Sequence, residues 1–249
     1  RPRMDDLLLG EDGLLRVLPA AEYAGIPRPF LMLWAGEMGY HLFPTTELVE
    51  WLRQEIGGAR AIEICAGAGV LGRALGVRCI DWDVCGRFPE ALAHYRLFRQ
   101  TPPVIGSHCE KIEALEAVAK YEPEVVFGGY VTQRLHAGDP SHTAASFAGV
   151  DERILIECVR KYIVIGSHAT HGSKRIWKDR ARELSPSWVV SRSPDPADTL
   201  IAVWENPNPR KISEIARPAV ATTGPQAPAG TTRAPQLVGG SMRPERLLR

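Results

Sequence analysis

The run from Ala61 to Gly72 most constrains the fold of this chain, because an apolar segment ends in closely spaced glycines that precede a helical pattern. Glycine adopts positive φ without steric cost and lets the backbone approach a ligand closely. The free N–H groups of the first helical turn then point toward whatever is bound beside the turn. This order of strand, glycine turn and helix predicts a site for a nucleoside-containing cofactor.

Two classes of cofactor compete for this segment. A G-x-G-x-x-G run begins at Gly67, and the dinucleotide fingerprint of that form places a ribose-binding acid about 20 residues further along the chain. The acid that follows is Asp81, which comes too early. Glu63 has no role in that fingerprint, but Glu63-Ile-Cys65-Ala-Gly67-Ala-Gly69 fits the E/D-x-G-x-G-x-G pattern of class I S-adenosylmethionine-dependent methyltransferases, with Cys65 in place of the first glycine. The pattern therefore favours S-adenosyl-L-methionine over NAD.

The composition favours one domain with appendages. At 249 residues and 45% hydrophobic content, the chain can bury one large core. Its 30 basic and 29 acidic residues give a net charge of +1, so nucleic acid is a possible partner that the charge does not indicate. No apolar run reaches the ~20 residues that a membrane span requires, and the five cysteines form no C-x-x-C pair. We therefore expect a cytoplasmic protein with no membrane partner, and the sequence gives no signal for an oligomeric state.

Strands and helices alternate after the glycine turn, which predicts a parallel sheet covered on both faces. The expected strands are 60–65, 77–81, 104–105, 124–128, 162–166, 188–190 and 199–204, and the expected helices are 70–75, 88–98, 110–120, 150–161 and 173–183. Too few residues separate the last two strands for a crossover helix, so those strands must pair antiparallel. The predicted fold is α/β and Rossmann-like, with a seven-stranded, mostly parallel sheet that ends in an antiparallel hairpin and carries helices on both faces.

The chain divides into three predicted parts. Residues 1–43 are an N-terminal extension, and residues 44–206 are a methyltransferase-like domain that begins with an amphipathic helix after Pro44. Beyond Glu205 the chain is rich in Pro, Ala, Thr, Gly and Arg and poor in large apolar residues, so burial cannot offset the entropy of ordering it. Residues 207–249 are therefore predicted to be a disordered tail.

The predicted cofactor-binding residues gather at the carboxyl edge of the sheet. In the methyltransferase interpretation, Gly67 and Gly69 pack against the methionine end of the cofactor, and Asp81 accepts hydrogen bonds from the ribose hydroxyls, with Asp83 as the alternative. The whole set expected at the cofactor is Glu63, Cys65, Gly67, Gly69, Asp81, Glu110 and Gly128. Three of these have plainer alternatives, in which Glu63 is a solvated strand-end acid, Asp81 a helix N-cap or turn acid, and Glu110 a charge at a helix N-terminus. Cys65 is expected to be a small buried thiol and not a nucleophile, because the sequence places no base beside it.

The segment Gly128-Gly129-Tyr130 stands where enzymes that methylate nucleic-acid amino groups carry D/N-P-P-Y/F. It does not match that motif, so methylation of adenine or cytosine amino groups is disfavoured. Tyr130 either lines the transfer site or packs in the core.

Histidines follow two of the predicted strands. His136 and His142 follow strand four, and His168 and His171 follow strand five. No helix places such a pair on one face and no cysteine joins them at ligand spacing, so no metal site is predicted. A histidine near its ordinary pKa can act as a general base, and His171 is the first choice for that role. The predicted catalytic residues are therefore His171, Tyr130 and His168.

Residues 40–205 resemble a group of bacterial and phage class I methyltransferase-like proteins. The resemblance lies in the Pro44-Thr-Thr-Glu-Leu-Val-Glu-Trp-Leu run, the glycine segment that begins at Glu63, Val125-Val-Phe-Gly-Gly-Tyr-Val-Thr-Gln, Tyr162-Ile-Val-Ile-Gly-Ser, His171 and Ile176-Trp177. It implies the fold and S-adenosyl-L-methionine as cofactor, but no methyl acceptor. This chain departs from the group at Cys65, where glycine is usual, and at Tyr130, where tryptophan is usual.

Three functions of different class follow from these observations. The leading hypothesis is S-adenosylmethionine-dependent methyl transfer to an unidentified acceptor. The alternative is a noncatalytic methyltransferase-like module for binding or assembly, which Cys65, the short helix after the glycines and the long tail suggest. An NAD-linked oxidoreductase is disfavoured by Glu63, by the early Asp81 and by the antiparallel hairpin.

Overall fold

A six-stranded sheet runs through the part of the chain that this computed structural model describes, which is residues 3–97, 100–136, 145–179 and 181–215. The strands are β1 (Leu42–Phe43), β2 (Ala61–Glu63), β3 (Arg78–Cys79), β4 (Val125–Gly129), β5 (Gln133–Arg134), β6 (Ala145–Ser146), β7 (Lys161–Gly166), β8 (Arg182–Leu184), β9 (Val190–Ser191) and β10 (Leu200–Glu205). The helices are α1 (Met4–Leu8), α2 (Ala20–Ala24), α3 (Arg28–Met38), α4 (Thr46–Ile56), α5 (Val70–Leu75), α6 (Val84–Arg87), α7 (Pro89–Leu97), α8 (Ala114–Tyr121), α9 (Glu152–Cys158), α10 (His168–His171) and α11 (Ile212–Ile215), with a 3-10 helix at Arg175–Lys178.

The strands of this sheet lie in the order β3-β2-β4-β7-β10-β8. The first four are parallel to one another, whereas β10 is antiparallel to both of its neighbours. The chain leaves β2 toward β3 and later returns to β4 on the other side of β2, so the direction of winding reverses between β2 and β4. The predicted α/β class and the mostly parallel sheet are confirmed.

Three predicted elements of the sheet are wrong. Residues 104–105 form no strand, because they follow Pro102 and Pro103, which have no N–H to donate to a ladder. Residues 182–184 form the edge strand β8, paired with β10, where a helix was expected. Residues 190–191 form β9, which pairs with β1 and not with β10. The predicted hairpin of the last two strands is therefore absent from the described residues, β10 pairs antiparallel with β7 and β8 instead, and the central sheet has six described strands where seven were expected.

The sheet is buried on both faces, as parallel strands covered by helices usually are. On one face, Val126, Val164 and Trp204 pack with residues of α8 and α9. On the other face, Phe127 and Ile163 pack with residues of α4 and α5. Alternate side chains of β4 and β7 thus contribute to two cores, one on each face of the sheet. Because both faces are covered, a site can form at the carboxyl ends of the strands, where the loops lie.

The segment before α4 packs onto the same body. Residues of α1, α2 and α3 share a core with Phe43 of β1 and Val190 of β9, in which Trp34 stacks near Phe43. Helix α4 then begins at Thr46, where the Thr45 hydroxyl accepts a hydrogen bond from the Leu48 N–H at 3.1 Å. A side-chain cap of this kind typically stabilises a helix by about 1 kcal/mol. Residues of the predicted N-terminal extension therefore lie against β9 and the start of the domain.

Of the predicted tail, the structure describes only residues 207–215. Helix α11 lies within residues 207–215, where Ile212 packs against the core beside α8 and α9. Residues 216–249 lie outside the described part of the chain. Among the described residues, none of the helices has both the length and the apolar character that crossing a membrane would require.

Candidate cofactor and transfer site

The loop between β2 and α5 contains three residues with left-handed backbone conformations. Cys65 has φ 51°, Gly67 has φ 52°, and Gly69, the N-cap of α5, has φ 69°. For a residue with a Cβ atom this conformation costs roughly 1–2 kcal/mol, which explains why glycine is usual at the position of Cys65. Cys65 packs against the core, and burial raises the pKa of its thiol. The thiol is therefore neutral and has no nucleophilic character.

The two central glycines of the loop have different surroundings. A Cβ atom added at Gly67 would approach only Pro103 Cβ, at 3.8 Å, so this position borders open space. A Cβ atom added at Gly69 would lie 2.6 Å from His108 Nε2 and 2.5 Å from Cys109 Sγ. A ligand can therefore reach Gly67, whereas protein already fills the corresponding side of Gly69.

Glu63 lies beneath the loop and connects β2 to α5. Its side chain is buried, and its Oε2 accepts a hydrogen bond from the Gly72 N–H at 2.8 Å. Burial raises the pKa of this carboxyl group to about 8, although the Gly72 N–H opposes the shift. Glu63 is therefore not the solvated acid of the plainer alternative. A Cβ atom at Gly72 would lie 2.7 Å from Oε2, so the third glycine of the run is needed for this contact.

Asp81 follows β3 and contacts the glycine loop directly. Its Oδ2 accepts from the Gly67 N–H at 2.9 Å, and its Oδ1 accepts from the Asp83 N–H at 2.9 Å. Burial raises the pKa of Asp81, and the two N–H groups partly offset that effect. Asp83 is committed elsewhere, because it caps α6 and pairs with Lys111 Nζ at 2.8 Å. Of the two candidate acids, Asp81 is the one that the structure brings to Gly67.

Glu110 is held away from the glycine loop. Its carboxylate pairs with Lys120 Nζ at 2.6 Å and accepts a hydrogen bond from the Tyr121 hydroxyl, both at the end of α8. These partners lower the pKa of Glu110. The charge at the start of α8 is supplied instead by Glu113, whose side chain accepts from two backbone N–H groups of the first turn. Neither the cofactor role nor the helix-terminus role expected for Glu110 fits these contacts.

The end of β4 brings Gly128 and Tyr130 to the edge beside the loop. Gly128 is covered, since an added Cβ atom would lie 2.6 Å from the Ile64 carbonyl oxygen. Tyr130 has φ 54°, and its ring meets the edge of the His171 ring at 5.1 Å between centroids. Burial raises the pKa of Tyr130, so its hydroxyl is protonated. The structure thus brings Tyr130 and His171 together, while Gly128 packs against the backbone that follows β2.

His171 is fully buried at the end of α10. Its Nδ1 lies 3.1 Å from the Ser167 amide nitrogen and 3.2 Å from the Ser167 carbonyl oxygen, so the backbone of Ser167 engages this side of the ring in either tautomer. Burial, followed by the charge of Lys174, lowers the pKa of His171 to about 3, so the imidazole is neutral. Its Nε2 has no hydrogen-bond partner among the described residues. The expectation that His171 titrates near its ordinary pKa is wrong, and the neutral ring presents its Nε2 to the site.

Tyr130 and His171 form a cluster, and the other histidines named from the sequence are not part of it. His168 is exposed, and its Nε2 lies 3.2 Å from the Ser185 hydroxyl. His136 pairs with Asp151 at 3.4 Å on the surface. His142 lies outside the described residues. Of the three predicted catalytic residues, the structure groups Tyr130 with His171 and leaves His168 apart.

Two residues of the cluster were missed from the sequence. His41 precedes β1, and its ring lies 5.5 Å from the Tyr130 ring. Burial and then the charge of Arg192 lower the pKa of His41 to about 3. Arg192 follows β9, and its N–H donates to the His41 carbonyl at 2.9 Å. The pairing of β1 with β9 brings both residues to Tyr130, and the only local signal was a histidine in the apolar run before the cap of α4.

Comparisons with known proteins give no family assignment. No family model matches the chain, and no curated protein matches it. Among solved structures, it is similar to a Thermoplasma acidophilum protein at a TM-score of 0.34 and 14% identity, over 72% of this chain and 97% of that one. It is also similar to the Pyrococcus abyssi tRNA (uracil-54, C5)-methyltransferase in complex with S-adenosyl-L-homocysteine, at a TM-score of 0.31 and 13% identity, over 63% of this chain and 37% of that one.

A third similar structure is a SAM-dependent methyltransferase from Agrobacterium tumefaciens, at a TM-score of 0.30 and 11% identity, over 64% of this chain and 61% of that one. All three TM-scores lie below 0.5, so these likenesses carry no functional argument. The function has to be argued from the geometry of the loop and of the cluster beside it.

Proposed function

We propose that this protein binds S-adenosyl-L-methionine beside the glycine loop and transfers its methyl group to an acceptor not yet identified. The observation that carries the proposal is the 2.9 Å contact between Asp81 Oδ2 and the Gly67 N–H. Open α/β sheets bind ligands outside the carboxyl ends of their strands, at the point where the winding reverses. That point lies between β2 and β4, directly beside this contact.

Gly67 and Asp81 supply the recognition in this proposal. The open side of Gly67 admits the methionine end of the cofactor close to the backbone. Each oxygen of Asp81 already accepts one backbone N–H and keeps a second lone pair that can accept from a ribose hydroxyl. Glu63 supports the loop through Gly72 and has no direct role at the ligand. When bound, the cofactor supplies a methyl group on a positively charged sulfur.

Tyr130, His171 and His41 are the proposed walls of the transfer site. They gather beyond the ends of β4 and β7, next to the proposed cofactor site. His171 and His41 are neutral, whereas Arg192 of the same cluster is charged, and the unpartnered Nε2 of His171 can form a hydrogen bond that orients the nucleophile. Holding two reactants in line is by itself worth several kcal/mol of the barrier, on the order of 7–11 kcal/mol in the best cases.

Two other functions fit the structure less well. In an NAD-linked oxidoreductase the sheet is built from parallel βαβαβ halves, whereas β10 here is antiparallel to both neighbours. A noncatalytic binding module is the second candidate, because Cys65 keeps a strained conformation at a glycine position and protein fills one side of Gly69. The two candidates differ in whether a bound cofactor is ever consumed.

Calorimetric titration of the full chain with S-adenosyl-L-homocysteine, S-adenosyl-L-methionine and NAD tests the proposal. We expect the first two to bind and NAD not to bind. Asp81→Asn removes the charge but keeps an acceptor for the Gly67 N–H, and a lost charged hydrogen bond of ~1.5–3 kcal/mol corresponds to roughly tenfold to a hundredfold weaker binding. Incubation with methyl-labelled cofactor and cell extract then reports whether any acceptor is methylated.

Glu110→Gln is the matched control, because this acid was also a candidate from the sequence but is engaged by Lys120. Its affinity for S-adenosyl-L-homocysteine should equal that of the wild type. Equal affinity of Asp81→Asn and the wild type would refute the proposed cofactor site. Binding without any transfer would favour the noncatalytic module.

A further inference from the structure

Three potential metal ligands converge on the far side of Gly69 from the proposed cofactor. They are the Sγ atoms of Cys79 and Cys109 and a ring nitrogen of His108, and these three atoms all lie within 4.8 Å of one another. Cys79 ends β3, whereas His108 and Cys109 lie in the turn that precedes α8. Cys79 precedes the adjacent pair His108 and Cys109 by about 30 positions, so no motif spacing in the sequence indicates the group.

The backbone holds these ligands in place without help from a metal. The Glu110 N–H donates to the Cys79 carbonyl at 2.9 Å, which fixes the turn beside β3. The Cys109 N–H donates to the Gly106 carbonyl at 2.9 Å and closes the turn itself. The Gly106 N–H donates to the Gly67 carbonyl at 3.0 Å and joins the turn to the glycine loop. A preorganised set of this kind requires only side-chain rotation to close on an ion.

The orientation of His108 is the observation that distinguishes this group from two buried thiols. His108 is exposed, yet its imidazole points inward, with Nε2 3.2 Å from the Gly69 carbonyl oxygen. Cys79 and Cys109 are 2% and 7% exposed, so His108 is the member of the group that borders solvent.

We infer that Cys79, His108 and Cys109 form a binding site for Zn²⁺ or a similarly soft divalent cation. Two thiolates and one imidazole are a typical ligand set for Zn²⁺, with the fourth tetrahedral position left open. Zn–S and Zn–N distances of about 2.3 and 2.0 Å place tetrahedral ligand atoms roughly 3.5–3.8 Å apart, so ligand atoms that lie within 4.8 Å of one another need to approach by at most about 1.3 Å. Binding releases the two thiol protons to solvent. The inference stands independently of the proposed methyl transfer.

Titration with Co²⁺ tests the site on the reduced, chelator-treated full chain, because a tetrahedral cobalt–thiolate centre has a characteristic absorption. We expect one Co²⁺ per chain, with thiolate-to-cobalt charge-transfer bands that stoichiometric Zn²⁺ removes. His108→Ala changes an exposed residue and should fold normally, and we expect it to weaken Zn²⁺ binding at least tenfold. Cys109→Ser should abolish the charge-transfer bands or weaken binding by more than a hundredfold.

Cys158→Ser is the matched control, because Cys158 is a partly buried thiol at the end of α9, outside the cluster. It should bind Co²⁺ as the wild type does. The inference is wrong if the wild type shows no charge-transfer bands, or if His108→Ala binds Zn²⁺ with wild-type affinity.

Discussion

Replacing Glu63 with glutamine tests whether the acid of the glycine motif is neutral in the folded protein. Glu63 is 4% exposed, and burial raises its pKa from 4.5 to about 8. When the folded pKa of a carboxyl group lies above its unfolded pKa, folding favours the protonated form. Its contribution to stability is then complete below the unfolded pKa of 4.5 and is lost as the pH rises toward 8. A shift of roughly 3.5 units at ~1.36 kcal/mol per unit amounts to about 4–5 kcal/mol.

Glutamine cannot ionise, and its amide oxygen can still accept from the Gly72 N–H. We therefore expect Glu63→Gln to match the wild type in unfolding free energy near about pH 5 and to exceed it by a few kcal/mol near about pH 8.5. Urea unfolding at a series of pH values measures this difference. His41 and His171 titrate in this range only in the unfolded chain, where their pKa is near 6.5, and they contribute equally to both proteins, so subtraction removes them.

Glu110→Gln is the control for this comparison, because the partners of Glu110 lower its pKa instead of raising it. It should show no gain in stability at alkaline pH. If the difference between Glu63→Gln and the wild type is the same at both ends of the pH range, Glu63 is ionised in the folded state. The argument from burial would then be refuted.

Three further predictions concern stability. Lys174→Met removes the cation 2.6 Å from the buried carboxylate of Glu152, to which the Tyr162 hydroxyl also donates. Urea unfolding should show a loss of ~3–5 kcal/mol that Lys174→Met/Glu152→Gln largely restores, and a loss below about 1 kcal/mol would contradict this. Burial lowers the pKa values of His41 and His171 to about 3, so the folded protein loses stability as the pH falls below 6.5, the pKa of these groups in the unfolded chain. Acid unfolding followed by circular dichroism should therefore give His41→Gln a lower midpoint pH than the wild type. Equal midpoints would count against a neutral His41. A chain that ends at residue 215 should melt within about 1–2 °C of the full chain, and a drop of several degrees would show that the predicted tail docks.

The parts of the site that depend on local spacing could be predicted from the sequence. The glycine run places Gly67 at the end of β2, and the next strand along the chain places Asp81 beside it, because adjacent parallel strands end at the same edge of a sheet. The contact between Tyr130 and His171 follows from the same rule for β4 and β7. The sequence therefore predicts which site residues are neighbours wherever it also predicts the strands that carry them.

The parts that depend on burial or on long-range pairing could not be predicted. The low pKa of His171 results from complete burial, and no pattern of neighbouring residues encodes that. His41 reaches the site because β1 pairs with β9, far along the chain. Strand β8 has only three residues and no apolar alternation. Its conformation is therefore set by its pairing with β10 and not by its local sequence. Cys79 and Cys109 come together for the same reason, through contacts between segments distant in sequence.

The ladder between β1 and β9 has a consequence for access to the buried cluster. Only two residue pairs form it, Leu42 with Ser191 and Phe43 with Val190, and His41 lies at its end. So short a ladder opens by local unfolding at a free energy well below that of the whole domain. Hydrogen exchange at the Arg192 amide, which donates to the His41 carbonyl, reports that opening. If an acceptor reaches Tyr130 and His171 by this route, the rate at which the ladder opens sets an upper limit on the proposed methyl transfer, and a mutation that strengthens the ladder lowers that limit.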